Sequence, residues 1–263
     1  LTTYAVTTTG SASQTFSANV TTTGNQTYTA AGGIVTSGAR TFEGDTINFA
    51  SALSGDNNVT VTGNADIDGA VTSIAVLSVS GTSNIGADIT TSGTQTYTDA
   101  VTLSANVTLT TSSDAVTFSS TINSADSTRR NLTIATGGDS TTVIFDGIVG
   151  GSQAVGEIAI TGVLDLDAAI TDATSVSVSG TSNLGANVTT TGTQTYSGSV
   201  TLSGGNRTLE GTTVATAALN GGSSNLTITG ILDLNGAITS TAVLSVSGAS
   251  NLGANVTTSG TQT

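Results

Sequence analysis

Apolar side chains recur at every second position in short groups along the whole chain. Examples are Leu77-Ser78-Val79, Leu164-Asp165-Leu166, Leu226-Thr227-Ile228 and Leu244-Ser245-Val246. This alternation puts two aliphatic side chains on one face of a β-strand. No segment carries apolar residues at the i, i+3, i+4, i+7 spacing of an amphipathic helix. The pattern therefore predicts an all-β protein built from strands of about three to five residues.

Self-comparison reveals long internal repeats. Residues 78–97 read SVSGTSNIGADITTSGTQTY and residues 177–196 read SVSGTSNLGANVTTTGTQTY, which differ at four positions only. A third copy occupies residues 245–263, and a partial copy, SANVTTTGNQTY, occupies residues 17–28. Repeats of this kind indicate stacked structural units rather than one globular core.

The glycine before each Gln-Thr element marks the module boundaries. The successive spacings between Gly24, Gly93, Gly192 and Gly260 are 69, 99 and 68 in sequence number. The sequence thus predicts one continuous solenoid over residues 1–263, with modules 24–92, 93–191 and 192–259 and partial copies at both ends. Because the pattern is already under way at residue 1 and still under way at residue 263, we expect the chain to be part of a longer polypeptide.

A second set of glycines locates the extra length of the middle module. Gly81, Gly180 and Gly248 of the Val-Ser-Gly elements follow the glycines at positions 63, 162 and 230 with a constant spacing of 18. The additional residues consequently fall between Tyr97 and Gly162. Strand-like stretches in that interval predict one more solenoid turn with some loop.

Strands this short need neighbours. Coiling the chain stacks each strand on the strand of the next turn, about 4.8 Å away, and forms continuous columns of inward aliphatic side chains. Turns of about 20–23 residues predict roughly 12 turns and a length of roughly 55–60 Å. The absence of proline agrees, because nearly every strand amide in such a stack donates a hydrogen bond.

Composition narrows the function. The chain has a formal net charge of −13, with 17 acidic residues against four arginines, and it has no Lys, His or Cys. Such a charge disfavours nucleic acid and anionic lipid as partners, and no apolar run is long enough for membrane insertion. Disulfides and thiolate metal sites are excluded. The Thr/Ser/Asn-rich composition favours an extracellular or cell-surface location.

The VSGTSNLGANVTTTGTQTY and LTITGILDL segments resemble the repeat regions of filamentous-haemagglutinin-like adhesins and of autotransporter passengers. The resemblance covers the whole chain, at the level of the general repeat pattern. It implies a right-handed parallel β-helix that serves as the shaft of a secreted protein. One difference is that this chain lacks the Asn-Pro motifs of the secretion domain in such proteins, since it contains no proline.

The Gln-Thr-aromatic element is the first candidate site. It comprises the pairs Gln26 and Tyr28, Gln95 and Tyr97, and Gln194 and Tyr196, with a variant at Gln14 and Phe16. A functional interpretation makes the tyrosines a row that stacks on sugars. A structural interpretation, which we favour, makes the glutamines a stacked ladder with an aromatic side chain filling a corner. The copies are a module apart, or about three turns.

Acidic pairs form a second candidate: Asp66 and Asp68, Asp165 and Asp167, and Asp233 with Asn235. Two carboxylates fall short of the six to eight oxygens that Ca²⁺ takes, so solvated acids are favoured over metal ligands. Without His, Lys or Cys, few groups remain for acid–base or nucleophilic chemistry. We therefore expect no enzyme activity and no catalytic, cofactor or metal site.

Two further patterns leave alternatives open. Thr-x-Thr pairs such as Thr60 and Thr62 are typical of ice-binding faces but also stabilise outward strand faces. Nine Asn-x-Thr triplets are either glycosylation acceptors or corner asparagines that precede a strand. They begin at Asn19, Asn25, Asn58, Asn106, Asn131, Asn187, Asn206, Asn225 and Asn255.

These observations predict a non-catalytic structural protein of a secreted or cell-surface fibre, either an adhesin shaft or a self-assembling filament. An S-layer-like lattice protein and an ice- or glycan-binding solenoid are the alternatives. The expected partner is the chain itself, stacked end to end from Leu1-Thr2-Thr3-Tyr4 to Gly260-Thr261-Gln262-Thr263, or the continuing polypeptide. Host or surface glycans and proteins would bind through regions outside this chain.

Overall fold

The computed structural model describes residues 4–263, and these form a parallel β-solenoid of about 13 turns without any helix. The prediction of an all-β solenoid is confirmed. Leu1, Thr2 and Thr3, which enter the expectation of end-to-end stacking, lie outside the described residues.

Within residues 4–263, thirty-three strands follow one another. In the first third they are β1 Val6–Thr8, β2 Gln14–Phe16, β3 Val20–Thr21, β4 Gln26–Tyr28, β5 Ile34–Thr36, β6 Arg40–Phe49, β7 Leu53–Ser54, β8 Val59–Ile67, β9 Val71–Ile74, β10 Leu77–Val79 and β11 Ser83–Ile85. In the middle they are β12 Ile89–Thr91, β13 Gln95–Tyr97, β14 Val101–Leu103, β15 Val107–Thr110, β16 Val116–Phe118, β17 Ile122–Ser124, β18 Leu132–Ala135, β19 Thr142–Phe145, β20 Val155–Thr161, β21 Val163–Leu166 and β22 Ile170–Val178. The last are β23 Ser182–Leu184, β24 Val188–Thr190, β25 Gln194–Tyr196, β26 Val200–Leu202, β27 Arg207–Thr216, β28 Leu219–Asn220, β29 Leu226–Leu234, β30 Ile238–Thr241, β31 Leu244–Val246, β32 Ser250–Leu252 and β33 Val256–Thr258.

Parallel pairing arranges these strands in three columns, which we call A, B and C in the order in which the chain visits them. Column A stacks Val6, Gln26, Ile47, Ala65, Ser83, Val101, Ile122, Val149, Ile170, Val188, Leu209, Ile228 and Val246. Column B runs from Gln14 through Ile34, Val71, Ile89, Ile134, Val178 and Tyr196 to Leu252. Column C runs from Val20 through Phe42, Val79, Tyr97, Phe145 and Leu184 to Val256.

Turn length varies because the corners absorb extra residues. Ala65 pairs with Ser83 at a sequence separation of 18, whereas Val116 pairs with Val143 at a sequence separation of 27. The predicted turn of about 20–23 residues, taken from the usual range for structural repeats, was therefore too narrow. The count of about 12 turns was slightly low. The long turns fall within the middle module, whose additional length forms one whole extra turn.

One core runs through the stack. Away from the first and last turns the inward side chains of all three columns are buried, and aromatic rings of successive turns contact one another. Tyr97 stacks on Phe118 with ring centroids 5.1 Å apart, and Phe118 lies 5.5 Å from Phe145. Each buried ring removes a large apolar area from water and so contributes strongly to the core. The columns hold the repeated polar side chains in fixed inward or outward positions.

Candidate functional site

The Gln-Thr-Tyr positions lie inside the solenoid. Gln26, Gln95 and Gln194 are fully buried, and the three tyrosines are at most 1% exposed. Inward orientation follows from strand alternation, because the threonine between each Gln and Tyr faces outward and both of its neighbours must face the core. The interpretation of these tyrosines as a sugar-stacking row is therefore wrong.

Each buried glutamine is the centre of a hydrogen-bond network. In the first copy the Tyr28 hydroxyl donates to Gln26 Oε1 at 2.6 Å, and Gln26 Nε2 donates to the carbonyl oxygen of Glu43 in the next turn at 2.6 Å. The same Nε2 donates to Thr22 Oγ1 at 3.2 Å, and Thr22 Oγ1 donates to the carbonyl oxygen of Gly24 at 2.6 Å. We call this arrangement the Thr–Gln–Tyr network.

The other two copies repeat the network. The Tyr97 and Tyr196 hydroxyls each donate to the glutamine two residues before them at 3.1 Å. Gln95 Nε2 donates to the carbonyl oxygen of Thr110 at 2.9 Å, and Gln194 Nε2 donates to that of Glu210 at 2.7 Å. A buried amide with all of these partners costs little to bury and ties one turn to the next.

Burial raises the pKa of all three tyrosines far above the ordinary value, because the interior disfavours a phenolate. The hydroxyls remain protonated donors at neutral pH. They have no access to a substrate, so the network holds the fold together and offers no acid–base group.

A second correction concerns the predicted glutamine ladder. The neighbours of Gln95 in the adjacent turns are Leu77 and Val116, and those of Gln194 are Val176 and Val214. No glutamine stacks on another in the described residues. Each network is instead an isolated polar site between aliphatic layers. The tyrosine also differs from the predicted corner position, because Tyr28 lies within a strand and stacks in the core on Phe49 with ring centroids 5.5 Å apart.

Successive networks occupy different columns. Gln26 lies in column A, Gln95 in column C and Gln194 in column B. From Gln26 to Gln95 the chain makes three full turns and then passes on by two columns. The interval from Gln95 to Gln194, in the middle module, contains one turn more. Gln262 pairs with Leu244 and so returns to column A. The three modules together therefore make a whole number of turns. Each module is longer than the predicted length of about three turns.

The Val-Ser-Gly glycines stack at the corners of the same modules. The amide of Gly81 donates to the carbonyl oxygen of Gly63 at 3.1 Å, and Gly180 and Gly248 make the same bond to Gly162 and Gly230 at 3.0 Å. A Cβ at Gly81 would lie 2.6 Å from that carbonyl oxygen. Side chains are therefore excluded by the close approach of two backbones.

The acidic pairs are partly engaged with neighbouring turns. Asp66 accepts hydrogen bonds from the side-chain amides of Asn48 at 2.5 Å and Asn84 at 2.8 Å. Asp165 and Asp233 accept the equivalent bond from the Asn-Leu element of the next turn at 2.8 and 2.7 Å. Within residues 4–263 no group of three or more acidic side chains is placed to hold a metal ion.

Corner asparagines use their side-chain oxygens in the same way. The Oδ1 atoms of Asn19, Asn106 and Asn187 accept hydrogen bonds from backbone amides one turn further on, at 2.9–3.0 Å. Asn206 makes the same contact to the amide of Asn225 at 3.0 Å. This geometry supports the interpretation of the Asn-x-Thr triplets as corner elements that precede a strand.

The sequence analysis did not identify two arginines that bind backbone carbonyls at the corners. Arg40 Nε donates to the carbonyl oxygen of Phe16 at 3.0 Å, and Arg207 Nε donates to that of Leu184 at 3.1 Å. Their terminal nitrogens bind further carbonyls of the same corner, including that of Ser37 for Arg40. Partial burial lowers the pKa of Arg207. Their role could have been inferred from the similar segments Arg-Thr-Phe-Glu-Gly and Arg-Thr-Leu-Glu-Gly, which begin at Arg40 and Arg207.

Stacked parallel columns, a single core and repeated corner elements define a repeat protein of the β-solenoid, or β-helix, class. Comparison of the chain with the models of known protein families, with curated proteins and with solved structures finds no match. Among the described residues no helix is long and apolar enough to cross a membrane.

Proposed function

We propose that this chain is a non-catalytic rod within a secreted or cell-surface fibre, either an adhesin shaft or a self-assembling extracellular filament. The observation that carries the proposal is the uninterrupted stack of about 13 turns around one core. At about 4.8 Å per turn the rod is about 60 Å long. The repeated Gln, Asp and corner Asn side chains form hydrogen bonds between turns, which suits a spacer better than a binding module.

Axial assembly is part of this proposal. Strands within the stack pair with the turns on both sides, as Leu166 does with Phe145 and Leu184. Apolar strand edges of this kind favour further pairing along the axis. The partner is either another copy of the chain or the continuing polypeptide. Side-by-side contacts are weaker at low salt, because a net charge of −13 makes rods repel one another.

Electron microscopy of the purified chain and of intact cells tests the proposal. We expect thin rods that join end to end and that antibodies detect on the cell surface. Separate particles that never associate axially, together with antibody signal confined to the cell interior, would contradict it.

One observation favours a second candidate, an ice-binding face. Thr41, Thr60, Ser78, Thr96 and Thr117 form an outward row of hydroxyls over five successive turns, and Ile144 ends the row. Such a regular array can order water. Thermal hysteresis that Thr96→Lys abolishes, and that Thr195→Lys on column B leaves intact, would favour this function over the rod.

A further inference from the structure

The three modules differ at the corner one turn before the glycines at positions 63, 162 and 230. In the middle module the chain forms a loop of residues 136–141 between β18 and β19. In the first module only Gly44 and Asp45 separate the residues that pair with the next turn. In the third module only Gly211 and Thr212 do so. The middle module therefore carries a loop where the other two pass the corner directly.

This loop lies over the two turns that follow it. The Ser179 hydroxyl, two turns further on, donates to Asp139 Oδ1 at 2.5 Å, and the amide of Val163 donates to the carbonyl oxygen of Thr141 at 2.8 Å. A Cβ at Gly180 would lie 2.6 Å from the carbonyl oxygen of Asp139. Ser179 is accordingly half-buried and Gly180 is buried. The loop thus covers the outer surface of this corner.

The same surface is an open groove in the other two modules. Ser80, the counterpart of Ser179 in the first module, is exposed. Its hydroxyl oxygen accepts the amide hydrogen of Gly63 at 3.2 Å, but within residues 4–263 the hydroxyl itself donates to no acceptor. In the third module the groove runs over Glu210, Thr229 and Ser247. The first and third modules therefore leave uncovered the surface that the middle module covers with its own chain.

The charge beneath the surface changes with the loop. Glu43 and Glu210 lie exposed on the floors of the two open grooves, each paired with a threonine of the next turn. The residue in the same register position of the middle module is Ala135. A loop that carries the carboxylate of Asp139 thus covers a neutral floor. An occupant of the open grooves meets a carboxylate instead, so a basic group is favoured there.

We infer that the open grooves at Glu43 and Glu210 are docking sites for a glycine-containing loop of a partner polypeptide that carries a basic side chain where the middle module has Asp139. The basic group pairs with the glutamate of the floor, and a backbone carbonyl of the loop accepts the free hydroxyl proton of Ser80. The inference adds a docking site on the side of the proposed rod and does not depend on axial assembly.

The partner is a polypeptide other than this one. Arg40 and Arg207 donate to carbonyl oxygens of the turn below, and Arg129 and Arg130 form ion pairs with aspartates at 2.7 and 3.6 Å. The sequence contains four basic residues in all. A second copy of the chain therefore has no uncommitted basic side chain to place in the groove. A net charge of −13 attracts a basic partner at low salt.

Cyclic peptides of residues 136–141 test the inference, because ring closure maintains the turn. The peptide with Asp139→Lys should bind the whole chain saturably at two sites, about fivefold or more tightly than the unaltered peptide. Glu43→Gln and Glu210→Gln together should weaken its binding about fivefold. Glu157→Gln, which changes an exposed glutamate of the middle module, should leave the affinity unchanged. Equal affinity for the two peptides, or an equal loss from Glu157→Gln, would overturn the inference.

Exchange of the corners locates the sites. Residues 136–141 placed in the first module instead of Gly44-Asp45 should cover its groove and reduce the number of bound peptides from two to one. In the reverse exchange, Gly-Thr replaces residues 136–141 and Ala135→Glu supplies the floor charge, so the number should rise to three. Melting temperatures show whether each variant folds. A count of two in a folded exchange variant would overturn the inference, and the glutamine variants, which keep the backbone intact, decide where an exchange variant does not fold.

Discussion

The Tyr97 hydroxyl donates to Gln95 Oε1 at 3.1 Å from two positions further along the same strand, and both side chains are fully buried. Strand alternation alone brings the two side chains to one face. The contact needs Thr110 of the next turn as well, because the glutamine amide must find a carbonyl there. A local sequence element thereby ties successive turns of the solenoid together.

Removal of the buried amide should be costly. Gln95→Ala leaves the Tyr97 hydroxyl and the Thr110 carbonyl without their partner and creates a cavity, so we expect a loss of about 2–4 kcal/mol in the free energy of unfolding. Urea unfolding measures it. Gln14→Ala is the matched control, since Gln14 makes one exposed bond to the Thr9 carbonyl. Equal losses for the two variants would contradict the network.

Alkaline pH should destabilise the protein. Because burial raises the pKa of Tyr97 in the folded state, the unfolded chain releases the phenolic proton first, at its ordinary pKa near 10. The stabilisation is complete below pH ~10 and decreases as the pH rises above it, by up to ~1.4 kcal/mol per pH unit for each tyrosine. Urea unfolding at pH 9–11.5 should show a shallower fall for Tyr97→Phe. Identical slopes would refute this assignment.

The corner glycines should not tolerate a methyl group. Gly81→Ala brings a Cβ to 2.6 Å from the Gly63 carbonyl oxygen, and the strain should lower the free energy of unfolding by about 1–3 kcal/mol. Gly138→Ala is the control, because a Cβ there has no atom within 4 Å. A Gly81→Ala protein that melts at the same temperature as the Gly138→Ala protein would show that the corner can widen.

Two core serines should be replaceable. Ser83 Oγ and Ser182 Oγ are buried, and neither hydroxyl has a hydrogen-bond partner in the described part of the chain. Ser182→Ala should therefore change the stability by less than about 0.5 kcal/mol or increase it. Thr190→Ala, which removes a hydroxyl bound to the Gly192 carbonyl, should instead destabilise. A clear loss from Ser182→Ala would indicate an ordered water at this position.

Removal of divalent cations should leave the melting temperature unchanged. Both carboxylate oxygens of Asp66 accept hydrogen bonds from asparagine amides, which leaves few free oxygens for Ca²⁺. Calorimetry with and without EDTA measures the effect. A drop of several degrees that Asp66→Asn abolishes would make the acidic pair a metal ligand.

The repeats predicted much of the fold because each one combines strand alternation with corner residues. Leu77-Ser78-Val79 and its counterparts correctly indicated which side chains face inward and outward. Because such short strands need neighbours in adjacent turns, they also predicted the parallel solenoid. The glutamine ladder was wrong because similarity between modules was taken for adjacency in space. The corner contacts of Arg40 and Arg207 were not predicted, because their motif occurs twice and not in every module.

The amino-acid sequence by itself determined the fold class, the module lengths and which side of each strand is buried, since these depend on periods of two and on repeats along the chain. Only the tertiary structure decided which strands lie next to one another. Corner loops lengthen some turns, such as the one that starts at Val116, without disturbing the strands. The position of Gln26, Gln95 or Gln194 around the axis therefore depends on the summed lengths, in residues, of all the turns before it. Backbone pairing between turns sets that sum, and it places the three equivalent glutamines in three different columns.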